Sequence, residues 1–600
     1  MLRLEFLFTL AQALDDALVK APPMGYNSWN HFGCTLNQEE LLKTAASLKD
    51  LGFLELGYRY FVLDDCWMAK TRGVTLEADS NAFPSGIKDF GQKLHEMNFL
   101  FGIYTCRGVS TCEGRPSSRD HEEADAKAFA EWEVDFVKND ACWDPDCGPE
   151  QPTVPGSGIC DIEGRRKAVL RYQRMKDAMN RTGRPMVHSL AGWQPWFAVV
   201  GSQLAHMWRV GADVKDWDGV YEATRIMEQL REYHGAQGWN DPDMLLGSSR
   251  GATLKLTPLQ SRAQFSLWAL MPAPLMLGAN VLELSPYDAL TYSNLEAIEI
   301  NQDPLVTPAE VVYHNCPPYP RFVMGQRADG APEFELHTNG VQDPGVVCGA
   351  HTAPNCPACC QGHGEGWCHG ECEWLGERGN GNPDDDQNCV LSEKAKKKPA
   401  AENNPNPWQR KDLKESSMHQ CQQVWVRRLT NGQVALVAVN FASKAATVDL
   451  PLSQLRLPWG DETPSILWDV WHVAKAPEQV HGHLKLALEA NGGHYMLKLE
   501  QKSTQEEQVP EEVPERSGRS FRGGSRAKAW QQVCRYADMM LLLTLSWCNA
   551  GMLSCCMLTF HQATMLAWCA VPSRHSNMLS LFCANAKARC HADVLRLLTC

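Results

Sequence analysis

The chain has 600 residues and a formal net charge of −14. That length implies two or more domains with a sizeable core. The acidic balance argues against nucleic-acid binding, which favours a basic face, so no nucleic-acid partner is expected. An acidic chain with many aromatic residues suits a neutral substrate such as a sugar.

The N-terminus has the outline of a secretory signal. Residues 1–3 supply a positive charge, residues 4–10 a short apolar part interrupted by Glu5, and residues 11–13 a small-residue cleavage site. The 24 cysteines also indicate an oxidising compartment. We therefore predict a signal peptide over residues 1–13 and a secreted or vacuolar/lysosomal protein. A plain N-terminal extension is the alternative.

Short apolar runs, each ending in acidic, aromatic or amide residues, recur between residues 20 and 308. They occupy residues 24–29, 58–65, 100–105, 134–140, 185–193, 206–213, 238–244 and 274–280. Helix-length segments separate them, which predicts repeated βα units around a parallel sheet. Eight such units predict a (β/α)8 barrel, in which catalytic groups lie at the C-terminal ends of the strands.

The remaining chain divides into three parts. Residues 310–420 are rich in Cys, Gly and Pro and predict a loop-rich insertion. Its Cys356-x-x-Cys359 spacing is similar to a zinc knuckle, although an oxidising compartment favours disulfides. In residues 421–500, short runs that alternate or are apolar and β-branched predict a C-terminal antiparallel β domain. Residues 501–600 predict a linker and a disordered, Cys-rich tail.

The tail contains an uncharged stretch, residues 539–571. Its length would allow a membrane helix, but scattered polar residues dilute its hydropathy. Membrane attachment is therefore not expected.

The strand ends carry carboxylates and tryptophans. They lack the His cluster of catalytic zinc, a Gly-rich phosphate loop and a GxSxG elbow. Glycoside hydrolysis needs two carboxyl groups, one to protonate the leaving oxygen and one to attack the anomeric carbon or to activate water. The pattern predicts a glycosidase that uses neither a metal nor an organic cofactor.

Five motifs make the chain similar to a known family. They are APPMGYNSWNHFGC at residues 21–34, LDDCW at 63–67, VDFVKNDAC at 134–142, WRVGAD at 208–213 and GWNDPDML at 238–245. Together they resemble glycoside hydrolase family 27, the α-galactosidases (melibiases) and α-N-acetylgalactosaminidases. The resemblance covers residues 20–308 and, loosely, the β domain. It implies a TIM barrel followed by a C-terminal antiparallel β-sandwich.

The resemblance implies two catalytic aspartates. Asp140 would be the nucleophile, and Lys138 would keep it ionised. Asp213 would be the acid/base, with a pKa raised by burial and by the charge of Asp140. Arg209 would pair with Asp213; a purely structural salt bridge is the alternative.

The resemblance also implies substrate contacts and disulfides. Asp64 and Asp65 would bind the 4- and 6-hydroxyls, although adjacent strand residues face opposite sides, which makes one of them less certain. The other implied substrate-binding residues are Trp29, Lys138, Trp193, Arg209, Asp243 and Met244. The implied disulfides are Cys34–Cys66 and Cys112–Cys142. A Cys147–Cys160 pair is a further expectation, and Cys106 has no assigned role.

One departure concerns the sugar 2-position. Where the family's α-galactosidases commonly read Cys-Glu-Trp, this chain reads Ala191-Gly192-Trp193. The predicted function is a retaining α-galactosidase acting on an oligosaccharide or glycoconjugate. The alternatives are an α-N-acetylgalactosaminidase and a catalytically silent sugar-binding barrel. A homodimer is left open.

Overall fold

The structure is a computed structural model. It describes residues 18–145, 162–235, 238–249, 256–317, 319, 421–460, 463–472 and 475–502, with short strands at 346–348, 351–353, 372–374 and 389–391. The predicted signal peptide, the Cys147–Cys160 pair, the Cys356–Cys359 spacing and the tail beyond residue 502 lie outside the described residues.

Eight parallel strands form one sheet in the order β7-β6-β5-β4-β3-β2-β1-β8. Their bounds are β1 Met24–Asn27, β2 Tyr60–Val62, β3 Leu100–Cys106, β4 Phe136–Asp140, β5 Val187–Ala191, β6 Met207–Arg209, β7 Trp239–Asp241 and β8 Leu275–Leu277. Leu245 closes the sheet just after β7, because its amide donates to Met276 O at 2.8 Å and its carbonyl accepts from Gly278 at 2.9 Å. The predicted (β/α)8 barrel is confirmed.

Helices connect the strands. They are α1 Trp29–Phe32, α2 Gln38–Asp50, α3 Ile87–Glu96, α4 Glu122–Glu131, α5 Ile162–Arg181, α6 Phe197–Leu204, α7 Trp217–Leu230, α8 Pro258–Leu270, α9 Pro286–Tyr292 and α10 Leu295–Asn301. Residues 286–301 form two helices, because the Asn294 side chain accepts a hydrogen bond from Ala297 N and starts a separate helix.

An apolar cluster fills the inside of the barrel. It consists of Val19, Val62, Phe136, Val187, Met207, Trp239, Met244 and Met276. Alternate residues of a strand share a face, so Phe136, Lys138 and Asp140 point the same way along β4. The apolar residues therefore form a floor inside the barrel, and the charged residues lie above this floor, nearer the C-terminal ends of the strands.

The second domain is an antiparallel β-sandwich. One sheet has the order β18-β17-β20-β15-β14-β9, and β16 pairs with β19 in the other. The strands are β9 Glu310–His314, β14 Gln422–Arg428, β15 Val434–Asn440, β16 Ala446–Pro451, β17 Ser465–Asp469, β18 Glu478–Val480, β19 His483–Leu488 and β20 His494–Gln501; the short strands β10 Val346–Cys348, β11 His351–Ala353, β12 Cys372–Trp374 and β13 Cys389–Leu391 lie between β9 and β14. Because β9 pairs with β14, this domain includes residues that the sequence placed in the insertion.

Strand β15 joins the two domains through its two faces. Val434, Leu436 and Ala438 pack in the core of the sandwich. Val437 and Val439 belong to the cluster that also contains the barrel core. Within the described ranges, we find no helix with both the length and the apolar character that crossing a bilayer requires.

Candidate active site

Of the ten non-glycine residues with positive φ in the described part of the chain, four follow the C-terminal ends of barrel strands. Cys66, Trp143, Trp193 and Asp243 follow β2, β4, β5 and β7, and all four have positive φ values between 50° and 88°. Non-glycine residues rarely adopt this conformation, and such residues gather at functional sites. The strained turns mark the C-terminal mouth of the barrel as the candidate active site.

Asp140 is the last residue of β4 and is 4% exposed. Its Oδ2 accepts a 2.9 Å hydrogen bond from the Tyr104 hydroxyl, and its Oδ1 accepts one of 2.8 Å from Ala141 N. Tyr104 stands opposite Lys138 in the β3–β4 register. These bonds hold the carboxylate at the mouth of the barrel with its orientation fixed.

Asp213 lies on the loop after β6, and 43% of its side chain is exposed. Its Oδ1 accepts a 3.0 Å hydrogen bond from Arg209, whose other terminal nitrogen lies 3.0 Å from Asp243 Oδ1. Asp243 Oδ2 in turn accepts a 2.8 Å bond from Val214 N. The buried guanidinium of Arg209 thus joins the loop after β6 to the loop after β7.

The expected order of the two pKa values is wrong for the free protein. Burial raises the pKa of Asp140 from 3.8 to about 7, and the positive charge of Lys138 only partly opposes it. Burial would raise the pKa of Asp213 too, but the charges of Arg209, Lys138 and Lys215, together with the hydrogen bond from Arg209, lower it below its ordinary value. The nearby charge of Asp213 adds to the rise at Asp140, so the two carboxyl groups interact across the mouth.

Asp64 and Lys138 form a buried ion pair. Asp64 Oδ2 accepts a 2.6 Å hydrogen bond from Lys138 Nζ and one of 2.7 Å from Asn27 Nδ2. Burial alone would lower the pKa of Lys138, but the charges of Asp64 and Asp140 raise it above its ordinary value. Lys138 therefore stays a cation between two carboxylates.

Asp65 faces the loop after β3. Its Oδ1 accepts from Cys66 N at 2.6 Å, and its Oδ2 accepts from Glu113 N at 3.0 Å. Burial raises its pKa. Both adjacent aspartates are thus buried near the mouth, but Asp64 points to Lys138 and Asp65 to backbone amides.

Two disulfides tie these loops together. The structure contains Cys34–Cys66 and Cys112–Cys142. It also contains Cys316–Cys421, which the sequence left unpaired. Cys106 is a buried free thiol.

The remaining predicted contacts surround the mouth at different depths. Trp29 starts α1, is half-buried and packs against the apolar cluster inside the barrel. Met244 belongs to that cluster and is 9% exposed. Trp193 is half-buried at a strained turn.

Gly192 lies beside Phe197, the first residue of α6. A Cβ atom built on Gly192 would lie 2.0 Å from a ring carbon of Phe197. That ring stacks on Trp196 with 3.8 Å between centroids. In this backbone, the position where α-galactosidases of the family commonly carry glutamate therefore has no space for a side chain.

A cavity lies between the apolar floor and the mouth. It is lined by Asn27, Phe136, Lys138, Ser189, Met207, Arg209, Asp241, Asp243, Met244 and Met276. The sequence reasoning did not select Asn27, Asp241 or Tyr104. Each lies at the C-terminal end of a strand, and the strand register could have identified Tyr104 as the neighbour of Lys138.

One group of side chains at the mouth has the geometry of metal donors. Among the described residues, the group with metal-donor geometry is Cys112, Asp140 and Cys142, whose donor atoms lie within 4.8 Å of one another. The two sulfurs are bonded to each other. Because thiolates are the sulfur ligands of metals, these two disulfide-bonded sulfurs are not available as ligands.

The chain is similar to known proteins in both sequence and fold. The family model described as alpha galactosidase A matches residues 21–155 and 156–303. The α-galactosidase of Schizosaccharomyces pombe is 35% identical over 319 residues, 49% of this chain and 69% of that protein. A relative from Dictyostelium discoideum, described as a probable alpha-galactosidase, is 34% identical over 298 residues, 49% of this chain and 71% of its own.

The similarity of fold to solved structures extends over more of the chain than the sequence similarity does. The α-galactosidase MEL1 of Saccharomyces cerevisiae has a TM-score of 0.58 at 22% identity, covering 82% of this chain and 100% of its own. α-Galactosidase I of Mortierella vinacea has a TM-score of 0.56 at 22% identity, and the match covers 81% of this chain and 98% of the Mortierella protein. The curated relatives and the family model together establish that the chain belongs to glycoside hydrolase family 27, the α-galactosidase (melibiase) family.

Proposed function

We propose that the protein is a retaining α-galactosidase that removes terminal α-D-galactose from oligosaccharides or glycoconjugates. The observation that carries the proposal is the electrostatic pair of Asp140 and Asp213 at one barrel mouth. The curated relatives, themselves described as α-galactosidases, support the substrate class.

The proposed reaction is a double displacement. Asp140 attacks the anomeric carbon as the glycosidic C–O bond breaks, and Asp213 gives its proton to the leaving oxygen. Asp213 then takes a proton from water, the water oxygen attacks the anomeric carbon, and the ester to Asp140 breaks. The product keeps the α configuration.

The first step needs Asp213 protonated and Asp140 ionised, so the two carboxyl groups together hold one proton, and it must be on Asp213. In the free protein the electrostatics favour the proton on Asp140 instead. A bound sugar would exclude water from the exposed Asp213 carboxylate, and this desolvation would raise its pKa. Substrate binding would therefore help to move the proton to the group that must donate it.

Sugar recognition would come from the buried polar residues. We assign Asp64 and Asp65 to the 4- and 6-hydroxyls, because paired carboxylates accept hydrogen bonds from neighbouring hydroxyls. Trp29 and Trp193 would offer aromatic faces to the apolar side of the ring. Lys138, Arg209, Asp243 and Met244 would complete the pocket.

A second candidate is an α-N-acetylgalactosaminidase. The observation that favours it is Gly192, since no carboxylate stands there to bind a 2-hydroxyl. Rates on an aryl α-galactoside and on its 2-acetamido analogue decide between the two substrates. We expect the galactoside to have the higher kcat/KM.

The decisive test of the proposed reaction is the anomer released first. Proton NMR of early hydrolysis should show α-galactose before mutarotation, and Asp140→Asn should abolish turnover of an aryl α-galactoside. Early β-galactose, or near-native rates in the variant, contradicts the proposal. Sugar binding without turnover in the wild type would favour a silent sugar-binding barrel.

The cellular setting is a proposal too. Three disulfides among the described residues support an oxidising location, secreted or vacuolar/lysosomal. Fractionation of the expressed full chain tests it. A homodimer stays a prediction that sedimentation measurements would check.

A further inference from the structure

The β domain contacts the barrel beside the loop that carries Asp213. Phe441 lies directly after β15 and stacks on Trp217, with 4.8 Å between ring centroids and 27° between the planes. Its ring also meets the edge of Tyr221 at 5.1 Å. Phe441 is 1% exposed and Trp217 9% exposed, so this aromatic contact is closed to water.

Trp217 is the first residue of α7, and it follows Asp213 by only four positions. Other contacts hold the loop between them. Arg209 binds Asp213, Asp243 accepts from Val214 N at 2.8 Å, and the Val214 side chain is buried in the apolar core. Asp213, Lys215 and Asp216 are otherwise exposed. The stacked Trp217 therefore fixes the C-terminal end of the loop that carries Asp213.

The other side of the contact is rigid. The amide of Phe441 donates to Cys421 O at 2.9 Å, and Cys421 is bonded to Cys316. The preceding Asn440 donates to Lys444 O and to Glu489 O, each at 2.8 Å. Phe441 is thus held by the backbone of its own domain and offers α7 a fixed surface.

We propose that Phe441 is a positioning residue for the acid/base: through Trp217, the β domain holds the Asp213 loop where proton transfer to the leaving group is efficient. This inference rests on the proposed function of Asp213. Proton transfer requires hydrogen-bond distance, and misplacement by about 1 Å can cost ~10²-fold in rate. The β domain would then contribute to catalysis without touching the substrate.

The test compares two leaving groups. A 4-nitrophenolate leaves with little need of a proton, whereas a sugar alkoxide leaves only when protonated. For Phe441→Ala, we expect kcat/KM on raffinose to fall at least about tenfold more than kcat/KM on 4-nitrophenyl α-galactoside. Loss of fold alone would lower both values by the same factor.

Trp471→Ala is the matched control. Trp471 is also an aromatic residue of the β domain at the interface, but it packs on α8, where it lies 4.8 Å from the Arg262 guanidinium and donates to Ser266 at 3.2 Å. We expect kcat/KM of this variant to fall by the same factor on both substrates. Equal losses in Phe441→Ala, or a raffinose-selective loss in Trp471→Ala, overturn the inference.

If Phe441→Ala does not fold, Phe441→Leu decides: a raffinose-selective loss of about threefold supports the inference, and none overturns it. If the wild type hydrolyses neither galactoside, the proposed function itself fails. That result is distinguishable, because it appears before any variant is compared.

Discussion

The ammonium group of Lys138 lies 2.6 Å from a carboxylate oxygen of Asp64 and joins β4 to the segment that follows β2. Lys138 was expected to serve Asp140, two residues later on the same strand. It acts on Asp140 only through its field, while its hydrogen bond goes to Asp64. One buried cation therefore acts on both a proposed sugar-binding group and the proposed nucleophile.

We predict that Lys138→Met moves the acid limb of kcat/KM to higher pH. The positive charge of Lys138 lowers the pKa of Asp140, so its removal raises that pKa further. α-Galactosyl fluoride is the suitable substrate, because fluoride departs with little acid assistance and the limb reports ionisation of the nucleophile. Lys93→Met, which removes an exposed helical lysine, is the control. An unmoved acid limb would contradict the prediction.

We predict that Asp140→Asn stabilises the fold above pH 7. The folded-state pKa of Asp140 is raised from 3.8 to about 7, so the folded protein holds this proton more strongly than the unfolded chain does between those values. Wild-type stability should fall as pH rises through that window, by at most about 4 kcal/mol from this group. The asparagine variant lacks this loss.

Melting temperatures at pH 4 and pH 8 check this prediction. The melting temperature of Asp140→Asn should exceed that of the wild type at pH 8, and this difference should disappear at pH 4. Asp216→Asn is the matched control, because Asp216 is an exposed N-cap of α7 and asparagine caps helices equally well. A gain of equal size at both pH values would rule out the titration of Asp140 as its cause.

We predict that Arg209→Met destabilises the fold by about 3–5 kcal/mol at neutral pH. The substitution leaves Asp243 buried without its ion pair. Burial already raises the pKa of Asp243 to about 6, and loss of the guanidinium raises it further. The loss should be smaller at pH 5, where the carboxyl group is protonated.

Urea unfolding at pH 7.5 and pH 5 measures both effects. Arg181→Met is the control, since Arg181 pairs with Glu123 on the surface and such pairs contribute about 0–1 kcal/mol. If Arg209→Met costs as little as this control, Arg209 does not hold a buried charge network.

We predict that Gly192→Ala destabilises the protein by about 1–3 kcal/mol. The added Cβ would lie 2.0 Å from the Phe197 ring, which must move. Adding Phe197→Leu should remove most of the cost of the alanine, so a double-mutant cycle should show coupling. Gly235→Ala is the control, because a Cβ there meets nothing within 4 Å. Additive effects of the two substitutions would contradict the clash.

The periodic pattern of the chain was enough to predict the barrel. Runs such as residues 100–105 and 134–140 are apolar and near strand length, and β3 Leu100–Cys106 and β4 Phe136–Asp140 lie within one residue or two of them. The same local rules say less where local signals are weak. Helix α6 Phe197–Leu204 reads FAVVGSQL, which has too few polar residues to mark a helical face, so the sequence indicated it only as a segment between two strands. Strand β9 Glu310–His314 is short and pairs across more than a hundred residues of chain.

The parallel strand architecture, the acids at the strand ends and the family could be inferred from the sequence alone, because strand periodicity and contiguous motifs are properties of the linear chain. Which groups pair with one another became visible only in the folded protein. The bonding of Lys138 to Asp64, the opposite pKa shifts of Asp140 and Asp213, the Phe197 ring beside Gly192 and the stacking of Phe441 on Trp217 all depend on distances between separate segments. Burial and electrostatic interaction are set by those distances, and a linear pattern does not contain them.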